Sequence, residues 1–282
     1  MVKKNIGAVI ISFNGFKTLK KTVNAVMDQV GQVVIVDNGS CGQTLRILED
    51  LDKFENIKVI YLDNNVGIGA ALNIGIKYLD NKNIEWVLTL DQDSIISRNM
   101  IHEFISYKAR NPHVQMMSPV IQGLDSKVSS DTEVLAVITS GHLVKISLVR
   151  FLGGYNEMLF IDGVDFDFCL RAASYRTITT KVKSAYMTHQ LGEPSIKKPL
   201  LKKFYTNHVP LRRYYMTRNF VYLAVRFFLK FPMFILKLAA IHMFNLLSMC
   251  INGPKRFQCF IAVMLGIYDG MRSRFGPCTR DI

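Results

Sequence analysis

Residues 86–94 read WVLTLDQDS, an apolar run that ends in two carboxylates one residue apart. A short apolar run that stops at turn-forming polar residues is typical of a buried strand. Three similar runs precede it, and each is followed by a stretch of helical period. The predicted strands are 6–13, 32–36, 58–62 and 86–90, and the predicted helices are 17–29, 45–51, 70–79 and one after Asn99. Strands that alternate with helices in this way predict an α/β fold with a mostly parallel sheet.

Later segments show weaker periodicity. Short strand-like runs occur at 116–121, 134–139 and 178–182, and a helix is expected at 165–173. In parallel α/β sheets, ligands bind beyond the carboxyl ends of the strands. The ends of the predicted strands carry Asn14, Asp37, Asn65, Asp91 and Asp93. These polar residues predict a ligand site at that edge of the sheet.

Asp91-Gln92-Asp93 is the first candidate for chemistry. Two carboxylates just beyond a buried strand can converge on a hard divalent cation, Mg²⁺ or Mn²⁺. Such a cation can bridge a diphosphate and stabilise it as a leaving group. The alternative is a solvated loop in which Asp93 or Ser94 caps the next helix.

The second candidate is the group Asp162, Asp165 and Asp167, which lies among apolar residues of segment 160–171. A carboxylate in such surroundings can have its pKa raised toward neutral pH, as a general base requires. The alternative is structural: one acid caps a helix and another pairs with Arg171.

Five segments in order, 8–14, 34–40, 65–73, 88–94 and 165–171, resemble the motifs of family 2 glycosyltransferases, which have the GT-A fold. The turn at 139–141 and segments 189–192 and 212–219 resemble the rhamnosyltransferase branch, whose members build bacterial surface polysaccharides such as O-antigen from dTDP-L-rhamnose. The resemblance implies an inverting transfer of a sugar, most simply L-rhamnose, to a hydroxyl of a lipid-linked saccharide. A different donor, such as a UDP-sugar, is the alternative within the same fold.

The resemblance also implies roles for individual residues. Asp91 and Asp93 would hold Mg²⁺ or Mn²⁺ with the diphosphate, and His189 is a third candidate ligand or a structural residue. Asp165 occupies the position of the catalytic base, but Val164 stands where the family usually has an acid, so Asp162 remains the alternative base. The nucleotide-sugar contacts would come from Ser12, Asn14, Asp37, Asn65, Gly67, Asp91, Gln92 and Arg218. Arg218 would bind the diphosphate bidentately, or belong only to a generally basic tail.

The net charge of +13 lies entirely in the last third of the chain, where residues 197–282 hold 15 Lys and Arg but only Asp269 and Asp281. This asymmetry indicates an anionic partner, either nucleic acid or a membrane surface. Nucleic acid is the rival from another class. It is disfavoured because the aromatic residues of this region lie in an apolar, membrane-like stretch rather than on a basic face.

We therefore predict a GT-A catalytic domain at 1–205 and a helical, membrane-associating region at 206–282. Arg226, Lys230 and Lys237 interrupt the apolar stretch at spacings of 4 and 7, which would place them on one face of a helix lying on an anionic membrane. The alternative is a buried helix that packs on the catalytic domain or on a second subunit, as in a homodimer. Five scattered cysteines fit a reducing compartment, so the cytoplasmic face of the membrane is the expected location, with peripheral attachment.

Overall fold

A computed structural model describes residues 1–123, 125, 128–189, 209–252 and 256–280, without the side chains of 189 and 248–252. Its first half confirms the predicted alternation of strands and helices, with ends that differ from the prediction by at most three residues. The strands are β1 (Ile6–Ser12), β2 (Gln32–Asp37), β3 (Ile57–Tyr61) and β4 (Trp86–Asp91). The helices are α1 (Leu19–Val26), α2 (Gln43–Leu51), α3 (Ile68–Asn81) and α4 (Met100–Arg110). These strands are parallel, in the order β3-β2-β1-β4.

Beyond β4 the sheet becomes mixed. The added strands are β5 (Ser94–Ile96), β6 (Met116–Ile121), β7 (Thr132–Val134), β8 (His142–Lys145) and β9 (Thr179–His189). Strand β8 is antiparallel to both β4 and β6, and β9 is parallel to β6 and antiparallel to β5 and β7. The strand predicted at 134–139 is wrong, because β7 ends at Val134. Strand β8 and the helix after it, α5 (Ile146–Phe151), have too little periodicity to be predicted.

Both faces of the parallel half are buried, which explains its continuous apolar runs. One face packs against α1, α2 and α4, with Leu19, Leu48 and Phe104 in the core. The other packs against α3, α5 and α6 (Val164–Ser174). A Cβ on Gly7 would lie 2.5 Å from the Leu79 side chain, so glycine there lets α3 lie close to β1. The strand ends are therefore held in a fixed array.

The C-terminal region consists of α7 (Pro210–Phe227), α8 (Pro232–Asn252) and α9 (Arg256–Met271). Helix α9 lies directly on α7, since a Cβ on Gly266 would be 2.6 Å from the Tyr214 carbonyl oxygen. Within the described ranges, no helix has both the length and the apolar character needed to cross a bilayer. The predicted domain boundary at 205/206 falls outside the described residues.

The predicted basic stripe of Arg226, Lys230 and Lys237 is wrong as a single helical face. Arg226 lies in α7, Lys230 in the turn that follows, and Lys237 in α8. The apolar stretch bends here because Pro232 disfavours helical backbone in the residue before it. The three cations therefore do not follow one helical period.

Candidate active site

The ends of β1 and β2 bring two buried polar residues side by side. Ser12 and Asp37 are register partners, and both are buried. Asp37 Oδ2 accepts a hydrogen bond from the Ser40 backbone N–H at 3.0 Å, whereas Asp37 Oδ1 and Ser12 Oγ have no partner among the described residues. Buried polar atoms without partners are costly. Hydroxyl or amide groups of a ligand at this edge would satisfy them.

Asn65 and Gly67 fix the shape of the loop that follows β3. Asn65 Oδ1 accepts from Asn38 Nδ2 and from the Gly67 backbone N–H, both at 3.0 Å. Gly67 has φ +89°, and a Cβ there would lie 2.7 Å from the Phe160 carbonyl oxygen. The loop thus lies against the segment that precedes Asp165.

Asn14 and Gln92 shape the loop that follows β1. Gln92 Oε1 accepts from the Phe13 backbone N–H at 2.8 Å, and Gln92 Nε2 donates to the Phe13 carbonyl oxygen at 3.2 Å. Asn14 has φ +52° and accepts from the Cys41 backbone N–H at 3.1 Å. Asn14 and Gln92 are predicted above to contact the nucleotide sugar. In the structure their hydrogen bonds go to backbone beside Asp37, so they shape the predicted nucleotide-sugar site.

Asp91 ends β4, and Asp93 lies two residues further on, directly before β5. Because β5 pairs with β9, the register sets Ser94 opposite His189, so the His189 backbone lies close to the acidic pair. The predicted metal contact of the His189 side chain falls outside the described residues.

The donor set at this position suits Mg²⁺ or Mn²⁺ shared with a substrate. Among the described side chains, no group of three His, Cys, Asp or Glu lies close enough to hold a metal unaided. Mg²⁺ is commonly bound through one or two carboxylates together with substrate phosphates. Asp91 and Asp93 fit that pattern, in which diphosphate oxygens of a substrate would complete the coordination.

Asp165 lies in the first turn of α6. Burial raises the pKa of its carboxyl to about 7, a hydrogen bond from the Phe166 backbone N–H opposes this increase, and the negative charges of Asp162 and Asp91 add to it. Asp165 and Asp91 are therefore close enough for their charges to interact. The structure brings the two predicted acidic groups together at one site.

Asp162 differs from Asp165 because it is ion-paired. Arg212 binds the Asp162 carboxylate bidentately, with Nε 3.1 Å from Oδ2 and Nη2 3.0 Å from Oδ1. Burial opposes the charge of Arg212, but this pair and the charge of Asp91 raise the pKa of its guanidinium. Both carboxylate oxygens of Asp162 are thus occupied by Arg212, whereas the buried carboxyl of Asp165 accepts a bond from the Phe166 backbone N–H. The surroundings therefore favour Asp165 over Asp162 for proton transfer.

Arg218 does not fit the predicted diphosphate contact. Its side chain is buried, and it donates to the carbonyl oxygens of Gly276 at 2.7 Å and Leu159 at 3.0 Å. Its Nε donates to Asn219 Oδ1 at 3.0 Å. That prediction is wrong, because these donors bind the protein backbone and a neighbouring side chain. Among the described residues, Arg212 is a cation that faces the acids, because it binds Asp162 and its pKa responds to the charge of Asp91. Sequence reasoning missed it, since only the orientation of α7 distinguishes it from Arg218.

Asp167 has the structural role given above as an alternative. It is fully buried, and it accepts from Arg171 Nε at 2.7 Å and from the Tyr222 hydroxyl at 3.1 Å. The predicted Asp–Arg pair is thus confirmed for this acid.

The chain matches Glycosyl transferase family 2 over residues 8–162. It is 30% identical over 240 residues to the dTDP-rhamnosyl transferase RfbF of Shigella flexneri, which covers 77% of this chain and 79% of that protein. It is 26% identical over 149 residues to the UDP-Gal:alpha-D-GlcNAc-diphosphoundecaprenol beta-1,3-galactosyltransferase of Escherichia coli, over 46% of this chain and 53% of that one.

Two solved structures have the same architecture. S. aureus TarS in complex with UDP-GlcNAc superposes with a TM-score of 0.59 at 17% identity, over 95% of this chain and 83% of that one. The mannosyltransferase PcManGT of Pyrobaculum calidifontis, in complex with GDP-Man and Mn²⁺, superposes with a TM-score of 0.60 at 14% identity, over 96% and 86%. At these identities the likeness shows the fold, which confirms the predicted GT-A architecture.

Proposed function

The chain belongs to glycosyl transferase family 2, and we propose that it transfers L-rhamnose from dTDP-L-rhamnose to a hydroxyl of a lipid-linked saccharide, with inversion at the anomeric carbon. That it is a glycosyltransferase follows from its family and from its likeness to a rhamnosyltransferase. One observation carries the proposed reaction. Asp165, a carboxyl of raised pKa, lies close enough to the acidic pair at the end of β4 for the charges to interact.

The Shigella relative supports the choice of donor, because its name specifies a dTDP-rhamnosyl transferase and the likeness extends over most of both chains. The E. coli relative, whose name specifies UDP-Gal and a diphosphoundecaprenol acceptor, keeps a UDP-sugar as the alternative donor. The same name supports a lipid-diphosphate saccharide as the class of acceptor.

Asp91 and Asp93 would hold Mg²⁺ or Mn²⁺ on the donor diphosphate, with Asp93 as the more direct ligand. When bound, the cation neutralises the diphosphate and stabilises it as a leaving group. Ser12 and Asp37 present the buried oxygen atoms that the nucleoside would satisfy. Arg212, which responds to the charge of Asp91, adds positive potential beside the leaving group.

Asp165 takes the proton of the acceptor hydroxyl as that oxygen attacks the anomeric carbon. The bond from that carbon to the diphosphate breaks on the opposite face, and the electron pair leaves with the nucleoside diphosphate. A single displacement inverts the configuration and requires no nucleophile from the enzyme. A pKa of about 7 suits this role, since a general base works best when its pKa lies near the operating pH.

The C-terminal helices carry an apolar surface that we assign to a membrane. Exposed apolar side chains recur at helical spacing, at intervals of three, seven and four residues on α8 and of three or four residues on α9. They are Met233, Leu236, Met243 and Leu247 on α8, and Phe257, Phe260, Met264, Tyr268 and Met271 on α9. A large exposed apolar surface of this kind marks an interaction site.

The charge of this surface favours an anionic bilayer over a second copy of the chain. Lys230, Lys237, Arg256 and Arg272 are exposed beside the apolar residues. Asp269, the one acidic residue in 209–280, is buried and paired with Arg280 at 2.7 Å. Two copies of this positively charged surface would repel each other. An anionic membrane, by contrast, contributes about 1 kcal/mol of binding free energy for each Lys or Arg near it. Peripheral attachment at the cytoplasmic face of the cell membrane would place the site near a lipid-linked acceptor.

The reaction is tested with purified full-length protein, Mn²⁺ and a panel of dTDP- and UDP-sugars, by thermal shift and by transfer to synthetic lipid-diphosphate saccharides. We expect dTDP-L-rhamnose to raise Tm in the presence of Mn²⁺, because ligand binding stabilises the folded state, and to support transfer. Transfer only from a UDP-sugar would show that this sugar nucleotide, and not dTDP-L-rhamnose, is the donor. No response to any nucleotide sugar, together with salt-dependent retention on DNA, would favour the nucleic-acid alternative.

The membrane assignment is tested by co-sedimentation with vesicles of neutral or anionic lipid. We expect binding to anionic vesicles that high salt weakens, and the double change Lys237→Glu/Arg272→Glu should reduce it. Lys53→Glu, on the exposed face of the catalytic domain, is the matched control. Equal binding to neutral and anionic vesicles would contradict the electrostatic part, and a stable dimer that binds no vesicles would assign the surface to a second copy.

A further inference from the structure

The segment Leu159–Gly163 carries Asp162 and leads into the turn of α6 that holds Asp165. Its backbone is unusual: φ is +64° at Phe160, +61° at Asp162 and +82° at Gly163. Positive φ is uncommon for residues other than glycine. Such backbone persists only where the surrounding structure over-determines it. Something must therefore hold this segment.

Asn219 of α7 supplies that contact. Its Nδ2 group donates to the carbonyl oxygens of Leu159 at 2.8 Å, Ile161 at 2.7 Å and Asp162 at 2.7 Å. The residue is 1% exposed, so water does not compete for these bonds. Two amide hydrogens thus serve three carbonyl groups across the strained segment.

Arg218 fixes the orientation of the Asn219 amide. Arg218 Nε donates to Asn219 Oδ1 at 3.0 Å, and a guanidinium can only donate. The oxygen of the amide must therefore face Arg218, and the nitrogen must face the three carbonyl groups. The bond from Arg218 therefore assigns the oxygen and nitrogen of the Asn219 amide and excludes the flipped orientation.

Helix α7 also contacts the side chain of the same segment. Arg212, two turns before Asn219, binds the Asp162 carboxylate. At Gly163, a Cβ would lie 3.6 Å from the Asn219 Cβ, so α7 passes close to the start of α6. Both the backbone and the charged group of the segment are therefore set by one helix of the C-terminal region.

We propose that Asn219 is a positioning residue for the general base: by binding the three carbonyl groups of 159–162, it holds the start of α6 where the carboxyl of Asp165 meets the acceptor hydroxyl. This inference rests on the proposed role of Asp165. It makes α7 part of the catalytic machinery and not only part of a membrane-associating region.

The test uses the full-length protein with Mn²⁺, dTDP-L-rhamnose and a synthetic lipid-diphosphate saccharide. Asn219→Ala removes the donor, and the isosteric Asn219→Asp replaces it with a group that can only accept. We expect kcat to fall by about 10²-fold, the loss associated with a displacement of about 1 Å at a reacting group. The KM for the donor should stay near the wild-type value, because Ser12, Asp37 and the acidic pair lie on other elements.

Asn56→Ala is the matched control, because Asn56 Nδ2 also donates to a backbone carbonyl, that of Met27. Asn56 precedes β3, so it lies at the amino-terminal ends of the parallel strands, whereas the acids lie at their carboxyl ends. It should leave kcat unchanged. Asn219→Gln, which keeps the amide, should recover part of the kcat that Asn219→Ala loses. If kcat falls only in proportion to the folded fraction in all three Asn219 variants, the role is structural and the proposal is overturned.

A double-mutant cycle with Asp165→Asn separates positioning from general destabilisation. If Asn219 acts through Asp165, then Asn219→Ala should cost little further kcat once the base is gone. Additive losses would overturn the proposal. Failure of the proposed function is distinguishable, because then the wild-type protein shows no transfer, or Asp165→Asn transfers at the wild-type rate.

Discussion

The donor half of the site and the base half are built in different ways. The donor half comprises the ends of the parallel strands β1 to β4 with their loops. Many of its polar contacts join residues of the first 92, as in the bonds of Gln92 to Phe13 and of Asn65 to Asn38. Others reach further, from the Asp91 backbone N–H to Ser140 Oγ and from the Ile68 backbone N–H to the Phe160 carbonyl oxygen. The base half, residues 157–167, is held by α7, where Asn219 lies 57 residues beyond the Asp162 carbonyl that it binds. The proposed donor contacts thus lie on the sheet, whereas the proposed base depends on contacts from the C-terminal region.

The family match follows the same division. It extends over residues 8–162 and so includes the donor half, but it ends before Asp165 and α7. Changes in the donor half should therefore act on donor binding or on the leaving group, and changes in the base half should act on kcat alone. The following variants test that separation.

The largest effect is expected at the acidic pair. Asp93→Ala, or chelation with EDTA, should remove nearly all transfer, because stabilisation of the leaving group by a metal contributes several kcal/mol, or about 10³-fold or more. Rates with and without added Mn²⁺ measure it. Asp50→Ala, on the exposed face of α2, is the control. Full activity in EDTA would contradict metal dependence.

Asp165→Asn should lower kcat by about 10²–10⁴-fold, the usual contribution of a general base. Donor affinity, measured by calorimetry, should remain near that of the wild type, because the base contacts the acceptor. Asp162→Asn should cost less, since Arg212 keeps that carboxylate in an ion pair. If Asp162→Asn abolishes turnover and Asp165→Asn does not, the two roles are exchanged.

Asn65→Ala should affect the KM for the donor rather than kcat, the reverse of what we expect for Asp165→Asn. It leaves the Gly67 backbone N–H and Asn38 Nδ2 without their shared acceptor, which costs about 1–3 kcal/mol for a buried group. We expect the KM for the donor to rise about tenfold, with kcat nearly unchanged. Steady-state kinetics with varied donor decide it, and a fall in kcat alone would show that this loop belongs functionally to the base half through its contact with Phe160.

The smallest effect concerns stability and pH. Because the pKa of Asp165 is raised to about 7 in the folded protein, the folded state binds one more proton than the unfolded state between about pH 4 and 7, and stability falls as pH rises through that window. Asp165→Asn should therefore raise Tm by a few degrees at pH 8 and leave it unchanged at pH 4. The same Tm difference at both values would show that Asp165 titrates normally.

Much of the donor half was predictable from the sequence, because strands buried on both faces leave continuous apolar runs and end in the residues of the site. Strand β8 was not, since His142–Lys145 pairs with strands far away in sequence and is too short to show a period. The choice between Arg212 and Arg218 depends on how α7 is rotated against α6, and neither residue's neighbours in sequence carry that information.

The sequence predicts the three acids of segment 160–171 as candidates for chemistry, but it does not predict which of them is best suited to act as the base. The pattern of segment 160–171 shows that the acids sit among apolar neighbours, which is why a raised pKa could be expected. It does not show that Arg212 pairs with Asp162, or that Asp167 is held by Arg171 and Tyr222. Those partners come from α7 or from packing of α6. They distinguish the three similar carboxylates as a proposed base, an ion pair and a structural residue.

The link between Gly276 and the base half bears on how this protein should be engineered. Gly276 donates to the Met158 carbonyl oxygen and accepts from Arg218, both at 2.7 Å, so the last part of the described chain braces the segment before Asp165. Deleting the apolar C-terminal region to obtain a more soluble enzyme would remove this brace together with α7. Replacing outward-facing residues such as Leu229, Met233 and Phe257 with polar ones is the better route, because they are exposed and lie away from these contacts.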